Sequence, residues 1–228
     1  MKIKFIALSL MLIASSSAET VSILVNIGAT AKRLNSTSKR PGGEATVTTA
    51  ENFRVADPKI SHVAPINRIT GPSGTVWYLL KLANLIDSKG EEHYVELTGE
   101  ESSATNAWKN SWNDSTPIID SFLRSELQEP QKITIHGIKK ATDVITLTVW
   151  GIGNNVGRHT VVTPSYGGTT LQGKATNFGS SRKKPTDTVP FVQFTFEADG
   201  TSDSISFEWV NPAGPSCLNG FAITYGQE

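Results

Sequence analysis

Short runs in which apolar and polar side chains alternate recur along the chain after residue 18. A period of two places successive side chains on opposite faces of an extended backbone, so such runs, bounded by Gly, Pro, Asn and Asp, predict half-buried β-strands. The predicted strands are 21–27, 133–136, 144–150, 161–163, 191–197, 205–210 and 221–225. The phenylalanine-rich run 191–197 alternates less cleanly, which is typical of a strand covered on both faces.

Three segments depart from this alternation. Residues 76–86 (VWYLLKLANLI) are compatible with an apolar helical stripe or a strand, and their aromatic start favours a strand at 76–82. Residues 118–127 are compatible with a single turn or short helix, and the polar segment 29–44 with a long loop. With no internal repeat and no Pro-rich linker, residues 19–228 are expected to form one domain. The predicted fold is all-β: a single antiparallel β-sandwich of the jelly-roll type with at most short helices.

Residues 1–18 have the organisation of a secretory signal peptide. Lys2 and Lys4 form a positive start, residues 5–14 are apolar apart from Ser9, and small side chains at 15–18 suit a signal peptidase. The apolar stretch is shorter than the ~20 residues that a membrane-spanning helix needs. We therefore expect 1–18 to be removed and the remainder to be secreted, periplasmic or extracellular, with no transmembrane segment after signal removal.

The composition narrows the class of protein. The 228 residues include 21 basic and 21 acidic side chains, and this zero net charge argues against nucleic acid as a partner, since nucleic-acid binding needs a basic surface. Hydrophobic residues make up 38%, which is enough for a core and argues against disorder. The single cysteine, Cys217, excludes an intramolecular disulfide and a cysteine-built zinc site. Its thiol is expected to be buried as a small apolar side chain.

Motifs for catalysis are weak. The four histidines include no H-E-x-x-H arrangement, and no G-x-S-x-G turn is present, so neither a zinc nor a serine hydrolase has direct support. His136 lies in an alternating run and is expected to be structural, whereas His93, in the charged run EEHYVE, is expected at a solvated strand end. The scattered carboxylates single out no catalytic pair. No cofactor is evident, and a structural Ca²⁺ would suit such a fold although no Asp-rich loop demands it.

Two tryptophans stand in a polar segment without strand period. Trp108 and Trp112 are separated and flanked by asparagine, lysine, serine and aspartate. An indole face stacks on the apolar face of a sugar ring, while neighbouring amides and carboxylates bond its hydroxyl groups. The alternative is that one or both rings cover the end of the sandwich and serve the core.

A second polar and aromatic group follows the strand that ends at Trp150. It consists of Asn154, Asn155, Arg158 and Tyr166, in the following loop and strand. Arg158 would clamp a carboxylate with two parallel hydrogen bonds, for example on a uronic acid. The alternative is that its guanidinium pins the loop to backbone carbonyl groups.

Residues 113–225 carry, in order, a set of short motifs that resembles a known group of proteins. The motifs are IIDSFL at 118–123, ITIHGI at 133–138, VITLTVWG at 144–151, RHTV at 158–161 and LNGFAIT at 218–224. Together they resemble exported bacterial β-sandwich domains of the PEP-CTERM-associated type. The resemblance implies a galactose-binding-like jelly roll, the architecture shared by carbohydrate-binding modules, and it supplies no catalytic residues. The sequence ends at Gln227-Glu228 without a Pro-Glu-Pro sorting tail, so surface attachment is not expected.

Taken together, these patterns predict an exported, non-catalytic β-sandwich protein that binds a polysaccharide or glycan through loop aromatics. The candidate ligand-binding residues are Trp108, Trp112, Asn154, Arg158 and Tyr166. Two alternatives stay open at this point. One is a small polysaccharide-directed hydrolase or lyase, and the other is a structural component of the cell envelope or extracellular matrix.

Overall fold

The computed structural model describes residues 19–30, 46–50, 66–72, 80–98, 105–109, 121–125, 129–138, 141–151, 160–176 and 191–227. The predicted signal peptide, 1–18, lies outside these ranges. Every regular element within them is a β-strand. Among these residues no helix is long and apolar enough to cross a lipid bilayer.

The strands form three sheets. In chain order they are β1 (Glu19–Thr30), β2 (Thr46–Ala50), β3 (Ile66–Pro72), β4 (Leu80–Ile86), β5 (Glu92–Thr98), β6 (Thr105–Lys109), β7 (Ser121–Ser125), β8 (Gln131–His136), β9 (Val144–Trp150), β10 (Val161–Tyr166), β11 (Thr169–Thr170), β12 (Lys174–Ala175), β13 (Phe191–Glu197), β14 (Ser204–Val210), β15 (Ser216–Leu218) and β16 (Gly220–Gln227). The first sheet has the order β13-β9-β16-β1-β3-β2, the second β11-β10-β14-β8-β5-β4 with β12 beside β10, and the third β15-β7-β6.

The topology is that of an antiparallel sandwich. From β8 to β16, successive long strands alternate between the second and the first sheet, so each connection crosses from one layer to the other, as in a jelly roll. All strand pairs are antiparallel except β1 and β3, which run parallel. The all-β sandwich predicted from the alternation is therefore confirmed.

The core lies between the two large sheets. Trp209 and Phe207 on β14 are fully buried, as are Phe194 on β13 and Phe221 on β16. Phe207 of the second sheet meets Phe221 of the first edge to face, with ring centroids 5.4 Å apart at 68°. Burying one such ring stabilises the fold by about 1.5–3 kcal/mol. This apolar layer joins the two sheets into one unit.

The central strand β1 is buried on both of its faces. Val21 and Ile23 face the core as the alternation predicts, but Ser22, Leu24 and Asn26 on the opposite face are buried as well. Strands β6 and β7 of the third sheet contact β1. The third sheet therefore covers part of the outer face of the first sheet, which hydrophobic periodicity alone does not predict.

Strand β13 is covered on one face only, so the prediction that both of its faces are covered is wrong. Val192, Phe194 and Phe196 are buried, whereas Thr195 and Glu197 are exposed. The reason is that β13 forms an edge of the first sheet. Its outward residues therefore face solvent and the rim of the sandwich.

The three segments without regular alternation agree only in part with their predictions. The predicted turn or short helix at 118–127 is wrong over 121–125, because these residues form strand β7 between β6 and β15. The favoured strand at 76–82 is confirmed where it overlaps β4, and residues 73–79 lie outside the described ranges. Of the predicted loop at 29–44, residues 29 and 30 end β1, and the remainder lies outside the described ranges.

One buried asparagine links the two large sheets at their edges. Asn67 on β3 is fully buried, and its Nδ2 donates to the carbonyl of Leu24 at 3.0 Å and to that of Ile86 at 2.8 Å. Its Oδ1 accepts from the Ile86 N–H at 2.6 Å. Since Ile86 ends β4 of the second sheet, this amide connects the first sheet to the second.

Candidate functional site

A pocket of about 500 Å³ opens where the edges of the two large sheets meet. We call it the rim pocket. One side is formed by the end of β13 and the residues after it, and the other by the hairpin of β10 and β11. Its lining residues are Tyr166, Gly167, Thr169, Leu171, Thr195, Phe196, Glu197, Ala198 and Asp199.

The hairpin beside the pocket turns through two glycines. Tyr166 pairs with Thr169, which leaves Gly167 and Gly168 as a two-residue loop with φ of 56° and 77°. Positive φ at both positions is what a tight hairpin of this kind requires, and glycine adopts it at low cost. At Gly167 a Cβ would come within 2.5 Å of Asp199 Oδ2, so the glycine also lets the carboxylate approach closely.

Tyr166 contributes its hydroxyl group to this site. Its ring is only 4% exposed and packs at 5.9 Å and 58° against Phe196 in the core. The hydroxyl donates to Asp199 Oδ1 at 3.0 Å. The ring therefore serves the core, and the oxygen is the part that meets the polar groups of the rim.

Asp199 is held by a compact set of donors. Its Oδ1 also accepts from the backbone N–H of Thr201 at 2.9 Å and of Ser202 at 2.7 Å, and its Oδ2 accepts from Ser202 Oγ at 2.5 Å. The hydrogen bond from the Ser202 side chain, followed by the backbone N–H groups, holds the pKa of Asp199 well below its ordinary value. Burial and the nearby carboxylate raise the pKa of Tyr166. The pair is therefore an ionised carboxylate and a neutral phenol.

The predicted aromatic at position 108 lies in a strand and not in a loop. Trp108 is part of β6, and its backbone pairs with Phe122 of β7 in the third sheet. The sequence did not predict this strand, because the polar residues around Trp108 lack the alternation that marks a half-buried strand. The other predicted ligand-binding residues Trp112, Asn154 and Arg158, with Asn155, lie outside the described ranges.

Cys217 of the third sheet is hydrogen-bonded to Thr160, the residue that directly follows segment 152–159. Thr160 Oγ1 accepts from Cys217 N at 3.0 Å and donates to the carbonyl of Cys217. Thr160 N donates to Thr176 Oγ1 at 3.0 Å, and that hydroxyl donates to the carbonyl of Gly151 at 2.6 Å. Cys217 is fully buried, as predicted. We call these four residues the neck network.

Tyr166 lies at the end of β10, and Val161 lies at its beginning. Val161 pairs with Val210, and Tyr166 pairs with Ile205. At about 3.3 Å per residue, these strand ends are roughly 16 Å apart. The structure joins Tyr166 to Asp199, a residue that the sequence did not single out for binding.

Two histidines on adjacent strands have structural surroundings. His136 stacks on Tyr94, with ring centroids 4.3 Å apart at 9°, in agreement with its predicted structural role. The prediction of a solvated His93 is wrong, because the residue is 3% exposed and its Nε2 lies 3.0 Å from Oδ2 of the buried Asp87. His93 lies on the same face of β5 as the buried Val95, two residues along the strand, so it faces inward. The signal that could have shown this is the turn 87–91, in which Asp87 Oδ1 accepts from two backbone N–H groups.

Within the described ranges, no three His, Cys, Asp or Glu side chains converge in an arrangement that would hold a metal ion. The structural Ca²⁺ considered from the sequence stays a prediction.

No protein-family model matches the chain, and no curated protein matches it. Similar solved structures include a Stig cyclase from Fischerella sp. TAU, at TM-score 0.37 and 15% identity over 57% of this chain and 79% of that one. They also include the module TmCBM61 in complex with β-1,4-galactotriose, at TM-score 0.35 and 13% identity over 59% of this chain and 88% of that one. The C-terminal CBM6 of a marine laminarinase from Zobellia galactanivorans has TM-score 0.33 and 11% identity over 57% of this chain and 98% of that one. These values assign neither a family nor an activity to this chain.

Proposed function

We propose that this protein is an exported, non-catalytic β-sandwich protein that binds carbohydrate in the rim pocket. The observation that carries the proposal is the mixed lining of a 500 Å³ pocket. Leu171, Phe196 and Ala198 contribute apolar surface, while Thr169 and Thr195 contribute hydroxyl groups. A sugar ring has apolar C–H surface and a rim of hydroxyl groups, so it suits a pocket that combines apolar surface with a few placed polar groups.

The electrostatics of the pocket favour binding over hydrolysis. A glycosidase needs one carboxyl group with a raised pKa to protonate the leaving oxygen. The pKa of Asp199 is lowered, and both of its oxygens accept hydrogen bonds from the protein. Asp199 therefore does not suit the role of general acid. The alternative, a hydrolase or lyase, predicts that incubation with polysaccharide releases reducing ends or unsaturated products, whereas the binding function predicts release of neither.

The alternative of a structural envelope or matrix component requires a surface for self-association. Such a surface is expected as a contiguous exposed apolar patch. Among the large apolar residues whose burial the structure describes, Val144, at 40%, is the exposed one. A single valine makes no patch, so this part of the molecule favours the binding function.

Export is proposed from residues 1–18. Expression of the full sequence in a bacterial host tests it: the expected product is in the periplasm or medium and begins near Glu19. A cytoplasmic product that retains Met1 would contradict export without bearing on carbohydrate binding. The resemblance to PEP-CTERM-associated domains is part of the same proposal.

Two adjacent threonines on β11 provide a matched test of the pocket. Thr169 lines it, whereas Thr170 is exposed and does not. In Thr169→Tyr, we expect the larger side chain to fill the pocket and exclude the ligand. Binding should therefore weaken more than about tenfold. Thr170→Tyr should change the affinity less than about twofold, since exposed substitutions away from a site have small effects.

Affinity electrophoresis on neutral polysaccharides, followed by calorimetry with oligosaccharides, measures these effects. A parallel series with a chelator tests the predicted Ca²⁺. The variant Trp112→Ala tests the second candidate surface, which consists of the aromatic residues predicted from the sequence. If Trp112→Ala abolishes binding and Thr169→Tyr does not, the rim pocket is the wrong site. If no polysaccharide binds the wild-type protein, the proposed function fails.

A further inference from the structure

The ionisable side chains that line the rim pocket are acidic, apart from one phenol. Asp199 and Glu197 carry carboxylates, and Tyr166 carries the phenol. No lysine, arginine or histidine is among the lining residues that the structure describes. The pocket therefore presents negative charge to a ligand.

The charge of Asp199 is fixed in place. Four hydrogen bonds from Tyr166, Thr201 and Ser202 converge on its two oxygens. All of these donors are neutral, so they orient the carboxylate without cancelling its charge. The lowered pKa of Asp199 agrees with a carboxylate that stays ionised across the physiological range.

The ammonium group of Lys174 on β12 contacts β13. Lys174 Nζ donates to the carbonyl of Gln193 at 2.7 Å and lies 4.7 Å from the centroid of the Phe194 ring. Both contacts hold the ammonium group against β13, and Lys174 is not among the pocket-lining residues. Among the described residues, Lys174 therefore does not neutralise the carboxylates of the pocket.

We propose that the rim pocket selects saccharides that carry a protonated amino group, such as β-1,4-linked glucosamine, over N-acetylated and uronic-acid saccharides. The inference rests on the proposed carbohydrate-binding function and specifies its ligand class. An ammonium group on the sugar gains attraction from Glu197 and Asp199 that an acetamide lacks, and a uronate carboxylate is repelled. The lining also supplies the hydroxyl and apolar surfaces that the rest of the ring needs.

The expected preference is moderate because the rim is open to solvent. Exposed charge pairs contribute little free energy in water. The affinity for the glucosamine saccharide should therefore exceed that for the N-acetylated one by about two- to fivefold. The interaction is screened over about 10 Å at 0.1 M salt, so the ratio should fall towards one as salt is raised to about 1 M.

Calorimetry with three tetramers tests the inference at pH 6 and low salt. The probes are the tetramers of β-1,4-linked glucosamine, β-1,4-linked N-acetylglucosamine and α-1,4-linked galacturonic acid. The glucosamine tetramer should bind about two- to fivefold more tightly than the N-acetylated tetramer, and the galacturonate tetramer should bind weakest. Glu197→Gln removes a lining charge at constant size and should reduce the ratio to below about two. Glu208→Gln, an exposed glutamate on β14 outside the lining, is the matched control and should leave the ratio unchanged.

The outcomes separate this inference from the function on which it rests. Equal binding of glucosamine and N-acetylglucosamine tetramers, or tight binding of galacturonate, would overturn the charge selectivity and leave carbohydrate binding in place. Equal loss of the preference in Glu197→Gln and Glu208→Gln would also overturn it, since the protein's overall charge would then be the cause. If none of the tetramers binds while a neutral polysaccharide does, the charge selectivity is overturned and carbohydrate binding stands; if the neutral polysaccharides also fail to bind, the proposed function itself fails.

Discussion

The substitution Asn67→Ala should destabilise the protein strongly, although the side chain removed is small and polar. Asn67 is fully buried and makes three hydrogen bonds, two to carbonyl groups and one from the Ile86 N–H. At about 1 kcal/mol for each bond, the loss is about 3 kcal/mol. An unsatisfied buried N–H adds about 1–3 kcal/mol, so we expect a total of roughly 4–6 kcal/mol. This is a large share of the 5–15 kcal/mol that is usual for a folded domain.

Urea unfolding followed by tryptophan fluorescence measures the effect. With a denaturant dependence of about 2 kcal/mol per molar, the midpoint should fall by roughly 2–3 M. The variant Asn67→Asp keeps an acceptor for the Ile86 N–H but removes both amide donors and adds a buried charge. It should therefore be no more stable than Asn67→Ala, because a buried unpaired carboxylate is costly.

Asn211 provides a matched control of the same side-chain type. It is also fully buried, and its Nδ2 donates to the carbonyl of Pro215 while its Oδ1 accepts from the Ala213 N–H. These two bonds close a local turn, and Ala213 is exposed, so its freed N–H bonds water and the loss of the two bonds should cost about 2 kcal/mol. If Asn67→Ala costs no more than Asn211→Ala, the reasoning that Asn67 links the two sheets is refuted.

Three further predictions concern the two ends of the sandwich. Thr160→Val removes the hydroxyl that both donates to and accepts from the Cys217 backbone. Urea unfolding should show that the free energy of unfolding falls by about 1–3 kcal/mol. An unchanged midpoint would contradict the neck network. Gly167→Ala should lower Tm more than Gly168→Ala, because both have positive φ but only the former brings a Cβ against Asp199; equal shifts would count against the close approach. The pKa of Asp199 is lower in the folded state than in the unfolded state, so its contribution to stability is present above about pH 4 and is lost as the pH falls further. Thermal unfolding between about pH 2 and 6 should thus show a flatter acid dependence for Asp199→Asn than for the wild type.

The boundaries of two strands could be predicted from the sequence, one with a regular alternation and one with a less clean one. The runs 144–150 and 191–197 coincide with β9 and β13. Side-chain direction along a strand is a local property with a period of two, so a half-buried strand leaves its pattern in consecutive residues.

Polar residues on inward faces are where the sequence was misleading. His93 reads as solvated because acidic residues surround it, yet it lies on the inward face of β5 with Asp87 as its partner. The segment 121–125 has no clear period in the sequence, yet it forms β7 between two other strands of the third sheet. Whether a polar side chain is buried depends on the partner that meets it, and that partner is distant in sequence.

For the candidate site as well, some features follow from the sequence and others follow only from the tertiary structure. The sequence by itself determined the class of fold, the burial of Cys217 and the bounds of β9 and β13. Only the tertiary structure decided that Tyr166 meets Asp199 across the rim, that Trp108 lies in a strand of a third sheet, and that Asn67 joins the two large sheets. The physical reason is that periodicity records the burial of one face against any apolar layer. A pocket or a polar link depends on which two strand edges meet, and the long-range topology sets that pairing.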